Sequence, residues 1–147
     1  MAIEKAKIDG VENQAEAWGL FNDLIDQIED SGVLLQSLAW ATRDMTTASG
    51  DVDVTLTFEP KIIIVFAVVS ADNVASWGFD DGSDPVCVAY RYTDLFATDD
   101  RAVSLLTASG ASQTAIMSAK SSTGYTLTWV KTGSPTGTAY LKIGCLA

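Results

Sequence analysis

The stretch DVDVTLTFEPKIIIVFAVV, residues 51–69, decides the fold class. In its first half, apolar residues alternate with Asp and Thr, which is the period of a strand with one apolar face. These residues are Val52, Val54, Leu56 and Phe58. Its second half, residues 62–69, is apolar on both faces, as in a strand from the middle of a sheet. Pro60 lies between them, at a strand start, where its missing N–H is tolerated. The stretch therefore predicts two consecutive strands.

Strand-forming residues, interrupted by turn residues, continue from about residue 38 to the C-terminus. We predict strands near residues 37–46, 51–58, 61–69, 74–79, 86–92, 102–107, 113–119, 125–131 and 138–146. No run of helical length separates these strands, so parallel βαβ crossovers are excluded. Antiparallel strands in this number form a two-sheet sandwich or a barrel. We predict a mainly β fold, an antiparallel two-sheet β-sandwich that is jelly-roll-like, over residues 37–147.

A helical pattern precedes the strands. Apolar residues recur every seven positions in two series offset by three, which is the a/d stripe of a coiled coil. The stripe consists of Val11, Trp18, Phe21, Ile25, Ile28 and Leu35. About three heptads are too short for a helix that is stable alone in water. Residues 1–36 are therefore predicted to be an N-terminal docking or oligomerisation segment, with an amphipathic helix over residues 11–35. The helix is expected to pack on its own β-domain, on a sister chain or on another protein.

The net charge of −10, from nine basic and nineteen acidic residues, limits the partners of the chain. Phosphate backbones and anionic membranes repel such a chain, so we expect no nucleic-acid and no membrane partner. The longest apolar run has eight residues, at 62–69, whereas a membrane helix needs about 20. The N-terminus carries no secretory signal pattern, so none is expected.

Reactive chemistry is poorly represented. The chain has no histidine, which removes Ser-His-Asp and Cys-His sites and histidine-based metal sites. Phosphate-binding loops and CxxC pairs are missing as well. The carboxylates of residues 80–84 offer oxygen ligands for calcium, but the loop is short and lacks a distal Glu, so a solvated hairpin turn is favoured. We predict that the chain is not an enzyme and has no catalytic residue, no cofactor and no metal site.

The two cysteines, Cys87 and Cys145, lie in apolar, strand-like runs. They are too few for a disulfide framework. Buried free thiols are the favoured interpretation, and a bridge between neighbouring strands is the alternative.

The aromatic residues suggest a contact surface. Tyr90 and Tyr92 share one strand face and flank Arg91, so these three residues are the candidate ligand contact. Aromatic residues at strand spacing usually belong to the core. The alternative is a platform for sugar rings, built from Trp18, Trp40, Trp77, Trp129, Tyr90, Tyr92, Tyr125 and Tyr140.

Four segments, in their order along the chain, resemble a β-sandwich module of structural proteins in tailed bacteriophages. They are FEPK at 58–61 before an apolar strand, WGFDDG at 77–82, GYTLTW at 124–129 and AYLKIG at 139–144. The resemblance covers residues 38–147 and leaves out the N-terminal segment. These segments encode a fold rather than an activity, and the module occurs in virion parts with different roles.

The resemblance implies an accessory virion protein, of the capsid-decoration or head-fibre type. Such a protein is assembled in the host cytoplasm, binds other capsid or tail proteins and becomes part of the virion. Together with the apolar stripe, it favours a homo-oligomer, and among these a homotrimer. The alternative is a tail-fibre or receptor-binding module that recognises a host-surface glycan.

Overall fold

A computed structural model describes residues 35–69, 73–91 and 94–147, which contain ten strands. The strands are β1 (Leu35–Asp44), β2 (Gly50–Thr55), β3 (Ile62–Val69), β4 (Val74–Asp80), β5 (Val86–Arg91), β6 (Asp94–Thr98), β7 (Val103–Ala108), β8 (Ala111–Ser121), β9 (Gly124–Thr132) and β10 (Thr138–Leu146). Together, Leu35–Ala147 form one structural unit.

The strands form two sheets that pack face to face. The larger sheet has the order β1-β10-β3-β4-β5-β6, and the smaller has the order β2-β9-β8-β7. Every neighbouring pair is antiparallel. The predicted mainly β architecture with two antiparallel sheets is therefore confirmed. The chain changes sheets from β1 to β2, β2 to β3, β6 to β7 and β9 to β10, whereas β3–β6 and β7–β9 are meanders.

All predicted strands are present, with ends shifted by a few residues, but β6 was not predicted. Its apolar part is short, from Leu95 to Ala97, and residues that favour turns flank it on both sides. Strand β6 pairs only with β5 and lies at the edge of the larger sheet. An edge strand needs little apolar pattern, which explains why the sequence signal was weak.

The core lies between the two sheets. Strand β3 contributes Ile63, Val65 and Ala67, which are fully buried, and it lies between β10 and β4 as its apolar pattern predicted. The smaller sheet contributes Leu127 and Trp129 from β9, together with Leu105 and Met117. Strand β9 also alternates: Tyr125, Leu127 and Trp129 point inward, whereas Thr126, Thr128 and Val130 point outward.

The predicted N-terminal helix falls on residues outside the described part of the chain, with the exception of Leu35. Leu35 was assigned to the end of the helical stripe, but its backbone begins β1 and pairs with Leu146 of β10. This position therefore belongs to the sheet, since a residue that makes ladder hydrogen bonds does not continue a helix.

Candidate functional site

The outward side chains of the larger sheet line up in rows across all six strands. Residues directly opposite each other in neighbouring strands point to the same face. The central row is Trp40, Lys142, Phe66, Trp77, Val88 and Ala97. A second row is Thr42, Tyr140, Val68, Ala75, Tyr90 and Leu95. A third row runs through Leu38, Gly144, Ile64, Phe79 and Val86. We call this surface the apolar face.

The apolar face is open to solvent in the described part of the chain. It carries ten of the twelve exposed large hydrophobic side chains found there. They are Leu38, Trp40, Phe66, Trp77, Phe79, Val86, Val88, Tyr90, Leu95 and Tyr140. Trp40 is 74% exposed and Trp77 is 56% exposed. Single exposed apolar residues are normal, but a contiguous apolar surface of this extent marks an interaction site.

Charge is nearly missing from the apolar face. Among the described outward positions of its strands, the charged residues are Lys142 and Asp44. The Lys142 ammonium lies 4.3 Å from the centre of the Trp40 ring, so the ring face attracts the cation. Asp44 lies at a corner, where its carboxylate accepts hydrogen bonds from the backbone N–H and the hydroxyl of Thr46. These bonds lower the pKa of Asp44. The centre of the face therefore suits an apolar partner.

The outer face of the smaller sheet has the opposite character, and we call it the polar face. The Thr126 hydroxyl donates to Asp53 at 2.7 Å, and the Thr128 hydroxyl donates to Asp51 at 2.6 Å. The Thr128 hydroxyl also lies 2.7 Å from the hydroxyl of Ser118. These polar groups of β2, β8 and β9 are thus bonded to each other across the strands and exposed to water.

The predicted acidic turn is built around Asp80, which points inward. Asp80 is 1% exposed, and its carboxylate accepts hydrogen bonds from the backbone N–H of Met117 at 2.6 Å and of Gly82 at 2.7 Å. Met117 lies at the β-bulge of β8, in the other sheet. The carboxylate therefore joins the two sheets and satisfies a buried backbone N–H of the other sheet.

The rest of the acidic turn is held by Asp81. Its carboxylate accepts the backbone N–H groups of Asp84 and Ser83, and these bonds lower the pKa of Asp81. Within the residues that the structure describes, no group of three His, Cys, Asp or Glu side chains is arranged to hold a metal ion. The turn thus has the geometry of the favoured hairpin interpretation, in which carboxylates bond the backbone of their own loop.

A second buried polar joint was not predicted from the sequence. Arg43 donates from Nε to Gln113 Oε1 at 2.9 Å, and its guanidinium lies 4.4 Å from the Trp129 ring centre. Gln113, which is fully buried, donates to the backbone carbonyls of Met45 and Thr47. Burial lowers the pKa of Arg43. The joint ties the end of β1 to β8 and β9. Polar residues in these runs look like ordinary strand surface, so no sequence signal marks it.

The candidate ligand contact lies partly outside the described residues, so it stays a prediction. Tyr90 lies on the apolar face, Arg91 lies on the opposite side of β5, and Tyr92 falls outside the described residues. Arg91 is on the other side because successive residues of a strand point to opposite faces. The proposed sugar platform is also divided. Trp129 and Tyr125 are buried, whereas Trp40, Trp77, Tyr90 and Tyr140 are exposed together on the apolar face.

Both cysteines are buried and unbridged. Cys87 lies on β5 and Cys145 on β10, and burial raises the pKa of each thiol. Cys145 bonds the hydroxyl of Tyr125, whose pKa burial also raises. The favoured interpretation of free, buried thiols is confirmed, and their raised pKa values make them poor nucleophiles.

A cleft of about 260 Å³ lies where β2 meets the turn between β8 and β9. Its charged side chains are Asp53 and Lys120. The carboxylate of Asp53 accepts the hydroxyl of Thr126, and the ammonium of Lys120 donates to the carbonyl of Asp81 at 2.8 Å. Both groups already serve the fold, so the apolar face is the stronger candidate for function.

The fold and this surface define a β-sandwich-like domain with one apolar and one polar outer face. Comparisons with protein-family models, with curated proteins and with solved structures found no match. Among the described residues, no helix is long and apolar enough to cross a membrane.

Proposed function

We propose that this chain is an accessory structural protein of a tailed-bacteriophage particle, a capsid-decoration or head-fibre subunit that binds the particle and displays its β-domain. Its partners are other virion proteins and further copies of itself, in a homo-oligomer for which three copies are favoured. Its place is the virion, after assembly in the host cytoplasm.

The observation that carries this proposal is that the buried polar groups stabilise the fold, while a large apolar surface is exposed. The buried polar side chains Arg43, Ser76, Asp80 and Gln113 all bond backbone groups or each other, and they join strands. Among the described residues, the most extensive exposed feature is the apolar face. A domain that offers an apolar surface for contact and uses its buried polar groups for its own stability is suited to a structural role.

The four segments that resemble the phage module lie at related places in the fold. Residues 58–61 lead into β3, residues 77–82 end β4 and open the acidic turn, and residues 139–144 belong to β10. Strands β10, β3 and β4 are neighbours at the centre of the larger sheet. Residues 124–129 begin β9 in the smaller sheet. Their spatial relation supports one module, although a shared fold does not fix a shared role.

Attachment to the particle is assigned to the N-terminal stripe. Its predicted residues, apart from the backbone of Leu35, lie outside the described part of the chain. Val11, Trp18, Phe21, Ile25 and Ile28 recur at heptad spacing and form the apolar side of the predicted helix. Attachment of several copies to a symmetric shell would strengthen binding through avidity.

Purified particles from the native source test the proposal. The chain should co-sediment with particles in a density gradient, at a fixed ratio to the major capsid protein measured by quantitative mass spectrometry. Particles stripped of the chain should rebind the full-length protein but not its Ile25→Glu variant. Gln27→Glu places the same carboxylate off the stripe and should rebind normally. Particles that never contain the chain, while it accumulates free in the lysate, would refute the proposal.

A second candidate is a tail-fibre or receptor-binding module for a host-surface glycan. The observation that favours it is the shared exposure of Trp40, Trp77, Tyr90 and Tyr140, since aromatic rings stack on sugar rings. A glycan array should then give a signal that Trp77→Ala and Tyr90→Ala abolish. Val130→Ala, on the polar face, should leave that signal unchanged. A silent array with the well-folded full-length chain would count against this candidate.

A further inference from the structure

We infer that the apolar face is an interface between copies of this chain, covered by a second copy in solution. The inference does not depend on a phage particle, because it rests on the surface of the described domain alone.

The apolar face is large enough for a stable interface. Six aromatic side chains on the apolar face are between 42% and 74% exposed. They are Trp40, Phe66, Trp77, Phe79, Tyr90 and Tyr140. An aromatic side chain offers about 150–250 Å², so these rings alone expose on the order of 600 Å². The largest apolar patch of a typical monomer is about 300–600 Å² in all. A stable interface buries about 800 Å² per partner, and the exposed aliphatic side chains bring the face into that range.

The sequence of β3 also favours a covered outer face. Residues 62–69 are apolar at every position, a pattern typical of strands covered on both faces. One side, with Ile63, Val65, Ala67 and Val69, is buried in the core. The other side points to the open face, where Phe66 is 49% exposed. A strand with this pattern requires a second layer, and the smaller sheet provides only one.

The distribution of charge favours contact between copies through the apolar face. Each chain carries a net charge of −10, so two copies repel unless they meet where carboxylates are rare. On the polar face, the carboxylates of Asp51 and Asp53 would oppose each other. The centre of the apolar face has no carboxylate, and its cation, Lys142, already lies over Trp40. Contact through the apolar face therefore brings two acidic chains together at the lowest electrostatic cost.

The composition of the face also favours a protein partner over a sugar. Branched aliphatic side chains such as Ile64, Val68 and Val88 each lie beside one aromatic residue in the same row. Sugar hydroxyls buried against them would lose hydrogen bonds to water without replacement, which costs free energy. An apolar sheet face from another chain has no such groups, and two sheets pack well at about 10 Å.

The centre of the interface is expected at Phe66 and Trp77. These residues are direct partners on β3 and β4, the two middle strands of the larger sheet. The Trp77 and Phe79 rings lie with centres 6.1 Å apart. Central tryptophans dominate the energy of many protein interfaces. Val88, the neighbour of Trp77 on β5, is therefore a position where an added charge would face the second copy.

The test uses full-length protein and a matched pair of variants. Val88 and Val130 are both valines that point outward, with 43% and 50% exposure, on the apolar and the polar face. Sedimentation velocity over a range of concentrations gives the number of chains. Hydroxyl-radical footprinting with mass spectrometry gives the accessibility of Trp77. The wild type should sediment as two or more chains, with Trp77 protected and the protection lost on dilution.

Val88→Arg should weaken association at least tenfold and expose Trp77, because it places like charges against each other in a desolvated contact. Val130→Arg should change neither reading. Circular dichroism and urea unfolding show that each variant is folded. If Val88→Arg does not fold, Trp77→Ala provides the same comparison without an added charge.

Three results would overturn the inference. The first is a single chain at every concentration with Trp77 accessible, which means that nothing covers the face. The second is a single chain with Trp77 protected, which assigns the cover to residues of the same chain. The third is an oligomer that Ile25→Glu dissociates and Val88→Arg does not, which assigns association to the N-terminal stripe alone.

Discussion

The two outer faces of the domain belong to the same fold but differ in the side chains that they expose to water. On the polar face, hydroxyl and carboxylate groups of β2, β8 and β9 bond each other across the strands. On the apolar face, aromatic and branched side chains lie exposed in rows, with a single cation at Lys142 near the middle. The polar groups of the polar face are bonded within one chain, whereas the apolar face leaves aromatic and branched side chains in contact with water.

The difference separates residues that stabilise the single chain from residues that serve contact. Inward residues and the polar joints at Asp80 and Gln113 hold the sheets together. Outward residues of the larger sheet contribute little to that, because their far side meets water. Stability of a single chain and association between chains should therefore respond to different substitutions. The free energies of unfolding below refer to concentrations at which the protein is a single chain.

The largest expected effect contrasts two adjacent residues of β4. A Cβ at Gly78 would lie 1.9 Å from the carbonyl oxygen of Ala102 and 2.8 Å from the Cβ of Cys87. Gly78→Ala should therefore lower the free energy of unfolding by about 3 kcal/mol or prevent folding, because backbone atoms cannot move aside easily. Trp77→Ala removes a whole indole from the outward face and should cost about 1 kcal/mol or less, the value of cross-strand contacts.

Urea unfolding of the two variants and the wild type measures this contrast. A cost of about 3–5 kcal/mol for Trp77→Ala is typical of a buried tryptophan. Such a result would show that the apolar face is already covered within one chain, and the comparison of the two faces would fail.

The next largest effect concerns the joint between the sheets. Asp80→Ala removes the acceptor for the N–H groups of Met117 and Gly82, one of them in the core. Buried donors without a partner cost about 1–3 kcal/mol each, so we expect a loss of about 2–3 kcal/mol in urea unfolding. Asp84→Ala, in the same turn but exposed, is the control and should stay within about 0.5 kcal/mol. Equal effects of the two would mean that Asp80 does not join the sheets.

A reciprocal pair of substitutions tests the faces directly. Thr128→Val removes the hydrogen bond to Asp51 from the polar face and should cost about 0.5–1 kcal/mol. Val88→Thr adds a hydroxyl to the apolar face, where it meets water, and should stay within about 0.5 kcal/mol. Valine and threonine have nearly the same shape, so each substitution changes the polarity of the side chain rather than its size. Urea unfolding of the two variants therefore compares the effect of polarity on the two faces. A loss above about 1 kcal/mol for Val88→Thr would mean that its hydroxyl is buried in the single chain.

The sequence predicted the two-sheet antiparallel architecture because alternating and continuous apolar patterns are local signals along the chain. The alternation in residues 51–58 and the continuous apolar run at 62–69 predicted β2 and β3, and the lack of helical runs between the strands predicted the antiparallel class. The same run held the best evidence for a functional surface, since residues apolar on both sides of β3 imply two covered faces. Which strands stand beside β3 is a matter of long-range pairing, so the extent of the apolar face appears only in the structure.

The candidate contact of Tyr90, Arg91 and Tyr92 shows how far local reasoning reaches. Strand alternation places Tyr90 on an outward face, but it does not show which residues lie beside it. The cross-strand neighbours of Tyr90 are Ala75 and Leu95, which the pairing of β4, β5 and β6 brings into one row. The joint of Arg43 and Gln113 joins residues 70 positions apart, so no motif in the chain announces it.

The smallest expected effect concerns Asp81, in the acidic turn that follows β4. Hydrogen bonds from the backbone N–H groups of Asp84 and Ser83 lower the pKa of Asp81 in the folded chain. The stability that Asp81 contributes is therefore present above the pKa of the unfolded carboxyl, about 3.9, and is lost as the pH falls through the lower folded value. Asp81→Asn should remove this part of the acid dependence and change little at neutral pH, since Asn also bonds turn backbones. Urea midpoints from about pH 6 to about pH 2 should fall slightly more for the wild type than for the variant. A carboxyl NMR titration of Asp81 at the ordinary aspartate value would contradict this account and leave the turn without any charge-dependent role.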